Sequence, residues 1–264
     1  VFALIERIAP TDSTVLVTGE SGTGKEMVVR AIHRLSRRQE HPLLACDCTA
    51  LAPTLLESEL FGHVKGSFSG AIATKQGLFE AAHQGTLLLD EVANLSHETQ
   101  GKLLRVLETR RVRKVGDTAE HEVDIRLIAT TNRSLAEMVK NGDFRADLYY
   151  RLNVVPIPLP PLRERSGDIP LLAAAFLEQF SQHMGVAIKG FSGETVRQME
   201  IYSWPGNVRE LRNIVERLAV LYGGSRIELH HLPSEVREAR PVVSTAQVPH
   251  TWEELKRMKR QIVD

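Results

Sequence analysis

The sequence predicts an α/β layered domain followed by a small all-helical subdomain. Two observations carry this. Over residues 1 to about 165, apolar strand-like runs alternate with helix-like segments, the pattern of a sheet covered by helices. From Asp168 the pattern is helical only, and prolines at 156, 158, 160 and 161 break regular structure between the two patterns. A chain of 264 residues has room for one large domain or two small ones with ample core.

The elements follow in order. Thr14-Val-Leu-Val-Thr18 is rich in β-branched and apolar residues and reads as a buried strand. Beyond a glycine-rich turn, Met27, Ala31 and Leu35 recur at i, i+4 and i+8 with Val28 and Ile32 beside them, which is one face of a helix. Leu43 to Cys46 and Thr86 to Asp90 read as strands, the second fully buried. Gln100 to Arg111 reads as a helix with Leu103, Leu104 and Leu107 inward and Arg110 and Arg111 suiting the C-terminal dipole. Val123 to Ile128 reads as a further strand.

In the helical part, Asp168 suits an N-cap with Pro170 in the first turn. A second helix covers about Gly193 to Tyr202. Asn207 suits the cap of a third, which stops at Gly223-Gly224. Residues 237 to 250 are polar, proline-bearing and aperiodic, and read as a linker. Thr251-Trp-Glu-Glu254 is a capping box ahead of Leu255, Met258 and Ile262 at helical spacing. The expected division is 1–166, 167–236 and a terminal segment 237–264.

Composition excludes several classes. Lys+Arg and Asp+Glu are equal at 33 each, so no global field directs the chain to nucleic acid or a membrane surface. No apolar run approaches transmembrane length. Cys46 and Cys48 are too few for a structural zinc site. They read as small residues on one face of a core strand and fit reducing, cytoplasmic conditions. The ten histidines are scattered, none in a His-Glu-x-x-His arrangement.

The chemistry-bearing motif is Gly19-Glu20-Ser21-Gly22-Thr23-Gly24-Lys25-Glu26, set between the first strand and its helix. Its glycines let successive backbone N–H groups turn toward an anion, Lys25 can reach outer phosphates, and the helix N-terminus favours negative charge. Glu26 stands where the strict phosphate-loop pattern has Ser or Thr. Glycine content alone also fits a tight turn that binds nothing. Leu87-Leu-Leu-Asp90-Glu91 ends a buried strand in two carboxylates. Nucleotide hydrolysis needs one acid for the metal, a role that suits Asp90, and one for the attacking water, a role that suits Glu91. An ordinary solvated strand end has the same composition.

Thr130-Thr131-Asn132 at the end of the later strand could sense a γ-phosphate or serve only turn chemistry. Arg145 and Arg151 are six apart and do not share a helix face. Arg151 could pair with Asp147 at i, i+4 or act as an arginine finger on a transferring phosphoryl group. Arg209 falls in a first helical turn, where the dipole opposes it, so an anion such as a nucleotide phosphate suits it, as does solvent.

With these motifs in place, residues 1 to 236 resemble the central AAA+ ATPase domain of sigma-54-dependent transcription activators, the bacterial enhancer-binding proteins. The resemblance is carried by Gly19–Glu26, Glu59-Leu-Phe-Gly62-His, Gly85-Thr-Leu-Leu-Leu-Asp-Glu91 and Lys102-Leu-Leu-Arg-Val-Leu107. It continues through Phe144-Arg to Asn153, Pro160-Pro-Leu-Arg-Glu-Arg165 and Trp204-Pro-Gly-Asn-Val-Arg-Glu-Leu211. It implies an AAA+ P-loop NTPase fold with a parallel-sheet αβα core and a small all-α lid. ATP and Mg²⁺ are the implied cofactors, with hydrolysis at sites between neighbours of a hexameric ring. Lys25 would then bind phosphates, Asp90 the metal, and Glu91 would activate water. Thr131 and Asn132 would form a first sensor and Arg209 a second. Arg145 and Arg151 would reach a neighbour's site, Arg151 being the better finger. Ala82 and Gly85 are counted with the nucleotide-binding residues. Glu26 is a family feature, and with no hydroxyl there metal binding would rest on Asp90, water and the Glu26 carboxylate.

The family's hallmark loop, Gly-Ala-Phe-Thr-Gly-Ala, stands here as Gly66-Ser67-Phe68-Ser69-Gly70-Ala71, and is the implied contact with the sigma-54 factor of RNA polymerase. Phe68 reads as an exposed, unpaired aromatic on a mobile loop, with Val115-Gly-Asp-Thr118 supporting it. Asp47 departs from the family's Asn at a position that holds the catalytic glutamate, and a carboxylate cannot donate to Glu91. The expected function is an ATPase that remodels the sigma-54 polymerase closed complex so that promoter DNA opens. Its first rival is a regulator of the same fold that binds nucleotide without productive sigma-54 contact. Its second is another AAA+ machine, such as a helicase loader or chelatase subunit, against which the Phe68 loop and the Trp204–Leu211 block speak. Promoter or enhancer DNA would be bound through a C-terminal helix-turn-helix beyond the segment at 251.

Overall fold

The structure is a computed structural model and describes residues 1–185 and 189–240. The chain opens with α1 (Phe2–Ile8), β1 (Val15–Thr18), α2 (Lys25–Arg34), β2 (Leu43–Asp47) and α3 (Pro53–Phe61). The short pair β3 (Gly62–His63) and β4 (Lys75–Gln76) follows, then α4 (Leu78–Ala81), β5 (Thr86–Asp90) and α5 (His97–Thr109). A hairpin of β6 (Arg111–Arg113) and β7 (Glu120–Glu122) precedes β8 (Arg126–Thr131), α6 (Leu135–Asn141), α7 (Ala146–Leu152) and β9 (Val155–Pro158). Then come α8 (Asp168–Met184), α9 (Gly193–Ile201), α10 (Asn207–Leu221) and α11 (Ser234–Arg237). The expected linker beyond Arg240 and the capping box at 251 lie outside the described residues.

Two compact units divide the chain. The first is Val1–Asp168 together with Trp204–Asn213, and the second is Ile169–Ser203 with the residues from Ile214 on. In the first, β2, β5, β8, β1 and β9 form a parallel sheet in that order. Successive side chains of a strand point to opposite faces, so a sheet covered on both sides needs apolar residues at every position. In β5, Leu87 and Leu89 enter one core with Phe61, Leu103 and Leu148, while Leu88 enters the other with Ile5, Val29 and Ile32. Helices α3 to α7 thus cover one face, and α1 and α2 the other. In the second unit, Ile169, Ala173 and Leu177 of α8 and Met199 of α9 are buried, and the side chain of Ser192 caps α9.

Several elements differ from expectation. The apolar series Met27, Ala31, Leu35 is not the inward face of α2. Met27 is 70% exposed and Leu35 54%, whereas Val29, Ile32 and His33 are buried. The helix carries apolar residues on two faces, and His33 turns inward because its Nδ1 lies 3.0 Å from the Thr86 hydroxyl. Helix α5 ends at Thr109. Arg110 takes a left-handed φ of +56° and Arg111 starts β6, so neither arginine sits in a last helical turn.

Strand β8 begins at Arg126 and not at Val123, because the Val123 N–H is bonded to Arg110 O, outside the sheet. Pro156 and Pro158 do not interrupt structure but lie in β9 itself. That strand is at the sheet edge, where Val155 and Leu159 donate to Thr14 and Thr18 carbonyls. The alternate positions, which need no donor, hold the prolines.

Candidate nucleotide site

The strand register brings the site together. Thr18 pairs with Thr131 and Leu89 with Ala129, so β1, β5 and β8 end side by side. In an open parallel sheet, ligands gather at these carboxyl ends. The loop after β1 carries Gly22 at φ +79° and Gly24 at φ +100°. Gly24 needs only its conformation, since an added Cβ there meets nothing. Gly22 needs both, since a Cβ would lie 2.3 Å from the Gly206 carbonyl oxygen.

Lys25 is buried at the start of α2. Its Nζ donates to Gly19 O at 2.9 Å and pairs with Glu91 Oε1 at 3.0 Å. The other Glu91 oxygen accepts the Asn132 N–H at 2.9 Å. Glu91 itself has φ +55°, an uncommon conformation for a side-chain-bearing residue that aims its carboxylate across the loop. Asp90 accepts a short hydrogen bond from the Thr130 hydroxyl, which also accepts the Glu91 N–H at 3.2 Å. These groups border a cavity of about 310 Å³ whose lining includes Gly22, Lys25, Glu26, Asp90, Glu91 and Arg209.

Arg209 stands where its sequence position suggested, with Nη1 2.8 Å from the Ser21 hydroxyl. Asn207 does not act as a simple cap. It is buried, its Oδ1 accepts the Leu162 N–H, and its Nδ2 donates to Glu20 and to Ser21 O. The Glu20 carboxylate also takes a two-pronged contact from Arg163, at 2.7 and 3.0 Å. Arg163 and then Asn207 hold this carboxyl down at about pKa 2. The Glu20 carboxylate is thus taken up by Arg163 and Asn207, while Thr23 donates its hydroxyl to Glu20 O. Glu26 lies on the cavity rim and is paired with Arg30 at 2.6 Å. Thr131 is fully buried, its hydroxyl accepting the Arg133 N–H.

Other predicted residues lie elsewhere. Ala82 and Gly85 precede β5 and so sit at the opposite end of that strand from Asp90. Arg145 forms the N-cap position of α7 and pairs with Asp147. Arg151 does not pair with Asp147 and donates to Leu107 O at 2.9 Å. Neither arginine lines the cavity. Asp47 is exposed, and its carboxylate accepts from the N–H and hydroxyl of Thr49. Glu91 is thus held by Lys25 and the Asn132 backbone, a pairing the spacing of the motifs did not reveal. The role of Arg163, the partners of Thr130 and the role of Asn207 were also missed, since their partners are remote in sequence.

Phe68 is not an unpaired tip. It is half-buried, with its ring edge-on to His63 at 5.0 Å. The 66–71 segment is closed by Gly66 N–H to Ala71 O and Ala71 N–H to Phe68 O. Val115 does support it, bonding to Gly62 and Val64, and Gly116 lies against Ser67. The apolar side chain left outward here is Ile72, 84% exposed.

Residues 1–158 match the sigma-54 interaction domain, and residues 163–248 match the AAA+ ATPase lid domain. The chain belongs to the sigma-54 interaction family. It is 50% identical over 236 residues to the DNA-binding transcriptional activator HyfR of Escherichia coli, covering 89% of this chain and 35% of that one. It is 46% identical to the regulatory protein AtoC of the same organism, covering 97% of this chain and 57% of that one. The structure of NtrX from Brucella abortus in complex with ATP superposes with a TM-score of 0.84 at 37% identity, covering 98% of this chain and 59% of that one. The NtrX complex with ADP gives 0.82 at 40%, covering 89% and 53%. The chain therefore spans between about a third and three fifths of the length of these relatives and solved chains. Among its described residues no helix is long and apolar enough to cross a membrane.

Proposed function

We propose that this chain is an ATP-hydrolysing domain of a transcription activator, remodelling the sigma-54 polymerase closed complex through the loop 66–71. The observation that carries the reading is the convergence of Lys25, Asp90, Glu91 and Arg209 on one cavity beside the glycine loop. The family's description and the ATP-bound relative support it.

Lys25 and the loop N–H groups bind and orient the phosphates, and Arg209 holds their outer edge. Glu91 takes the proton of the attacking water once Lys25 has turned to phosphate. The site fits Mg²⁺, which keeps several waters and takes one or two carboxylates together with substrate phosphates. Asp90 is a hard oxygen donor at the cavity floor and would hold it, with Glu26 adding a second oxygen if Arg30 lets go. Held there, the ion would supply charge neutralisation for the phosphate oxygens. Among the described residues no group of three or more His, Cys, Asp or Glu is placed to hold a metal ion.

Arg145 and Arg151, away from this cavity, serve a neighbouring copy in a ring, a head-to-tail contact that closes if its rotation allows. The domain boundaries we assign are 1–166 and 167–236, with DNA binding left to segments beyond these. The test is ATP turnover by the purified protein, its loss in Lys25→Ala, and formation of a complex with sigma-54 in the presence of a transition-state analogue. A folded protein that turns over no ATP refutes the catalytic reading. Turnover without a sigma-54 complex, in a loop where Ser67 and Ser69 replace Ala and Thr and Phe68 is packed down, favours the non-productive regulator.

A further inference from the structure

We propose that Asn207 is a positioning residue for the phosphate loop, acting through Glu20. The proposal rests on the nucleotide reading of that loop. Asn207 is fully buried, with a positive φ of +53°, a conformation held only where surroundings over-determine it. Its amide is fully engaged. Nδ2 lies 3.1 Å from Glu20 Oε2 and 3.0 Å from Ser21 O, while Oδ1 is 2.8 Å from the Leu162 N.

The neighbouring contacts repeat the theme. The Val208 N–H donates to Gly22 O at 3.0 Å, Arg165 Nη2 to Thr23 O at 2.9 Å, and Arg209 to the Ser21 hydroxyl. Gly22 must lack a Cβ because Gly206 occupies that space. Every one of these hydrogen bonds ends on an oxygen of the loop, and none uses a loop N–H. These contacts therefore hold the loop by its acceptors, while of its own donors the Gly19 N–H goes to Thr131 O and the Thr23 N–H to Glu20 O. Glu20, an acid inside an anion-binding loop, is neutralised by Arg163 and fixed by Asn207. The loop's shape is thus set by a segment nearly the whole domain away in sequence.

Asn207→Asp tests this, because it keeps the shape and replaces a donor facing Glu20 by a second carboxylate. Without nucleotide, hydrogen exchange of amides 19–24 is expected to rise about tenfold at neutral pH, since close carboxylates repel strongly. The KM for ATP is expected to rise about tenfold with kcat changed little, the mark of lost binding shared by ground and transition states. Adding Glu20→Gln removes the facing charge and restores both readouts, a rescue that a general packing defect would not show. Arg163→Gln, on a half-exposed side chain, carries the same test at smaller amplitude should Asn207→Asp not fold. Wild-type exchange and KM in Asn207→Asp, or a double variant as defective as the single, overturns the proposal. If the wild-type protein binds no ATP, the nucleotide reading fails while the exchange arm still decides the clamp.

Discussion

Glu91→Gln separates the two uses the structure gives that side chain. In the nucleotide-free protein its carboxylate lies 3.0 Å from the Lys25 ammonium, with both groups largely shielded from water. At an effective dielectric constant of about 20, two unit charges at that distance attract by about 5 kcal/mol. Desolvation of both ions cancels most of this, and a charged hydrogen bond exceeds a neutral one by roughly 1–2 kcal/mol net. Phosphate must draw Lys25 away from Glu91, so the pair opposes nucleotide binding by about that amount. The variant removes the charge and keeps one acceptor oxygen, for Lys25 or for the Asn132 N–H, with an amide donor in place of the other. Calorimetric titration with a non-hydrolysable ATP analogue is expected to show about 5- to 30-fold tighter binding, the equivalent of 1–2 kcal/mol. Turnover is expected to be lost, because the amide cannot accept the proton of water. Unchanged or weaker affinity refutes the competition between Glu91 and phosphate for Lys25, and parental turnover refutes the catalytic assignment.

Three further outcomes are expected. Gly22→Ala combines a left-handed φ with a contact of 2.3 Å to Gly206 O, so ATP binding is expected to be lost and thermal unfolding to shift by more than about 2 kcal/mol. Ser67 Oγ is buried without a hydrogen-bond partner, so Ser67→Ala is expected to be neutral or to stabilise by about 1 kcal/mol in urea unfolding, and a loss of that size would show a partner for the hydroxyl. The Glu20 carboxyl is held at about 2 by Arg163 and Asn207, below its ordinary 4.5, so the clamp contributes fully above about pH 4.5 and is lost as pH falls toward 2. Between those values Glu20→Gln is expected to flatten the acid dependence of unfolding, and an unaltered curve would assign it to other carboxylates.

Much of the site was legible before folding. The glycine loop shows in sequence because its needs are local: positive φ at Gly22 and Gly24, a strand before and a helix after. Asp90 and Glu91 show only in company with the glycine loop on a preceding strand, since an ordinary solvated strand end has the same composition. The inward face of α2 did not show, because Met27 and Val29 are both apolar and only the sheet beneath decides which is covered. Phe68 read as free because its partner, His63, is a ring whose orientation depends on the β3–β4 turn.

The amino-acid order alone therefore indicated the α/β class, the strands β1, β2, β5 and most of β8, and the candidate phosphate loop, since each rests on periodicity or spacing within a few turns of chain. Only the tertiary structure decided what restrains those residues. Glu91 on Lys25, Asn207 on Glu20 and Gly22 under Gly206 join positions 66 to 187 residues apart in the chain. Short-range patterning carries no record of such pairs. They form because a parallel sheet gathers the ends of distant strands at one edge, where buried polar groups must find partners.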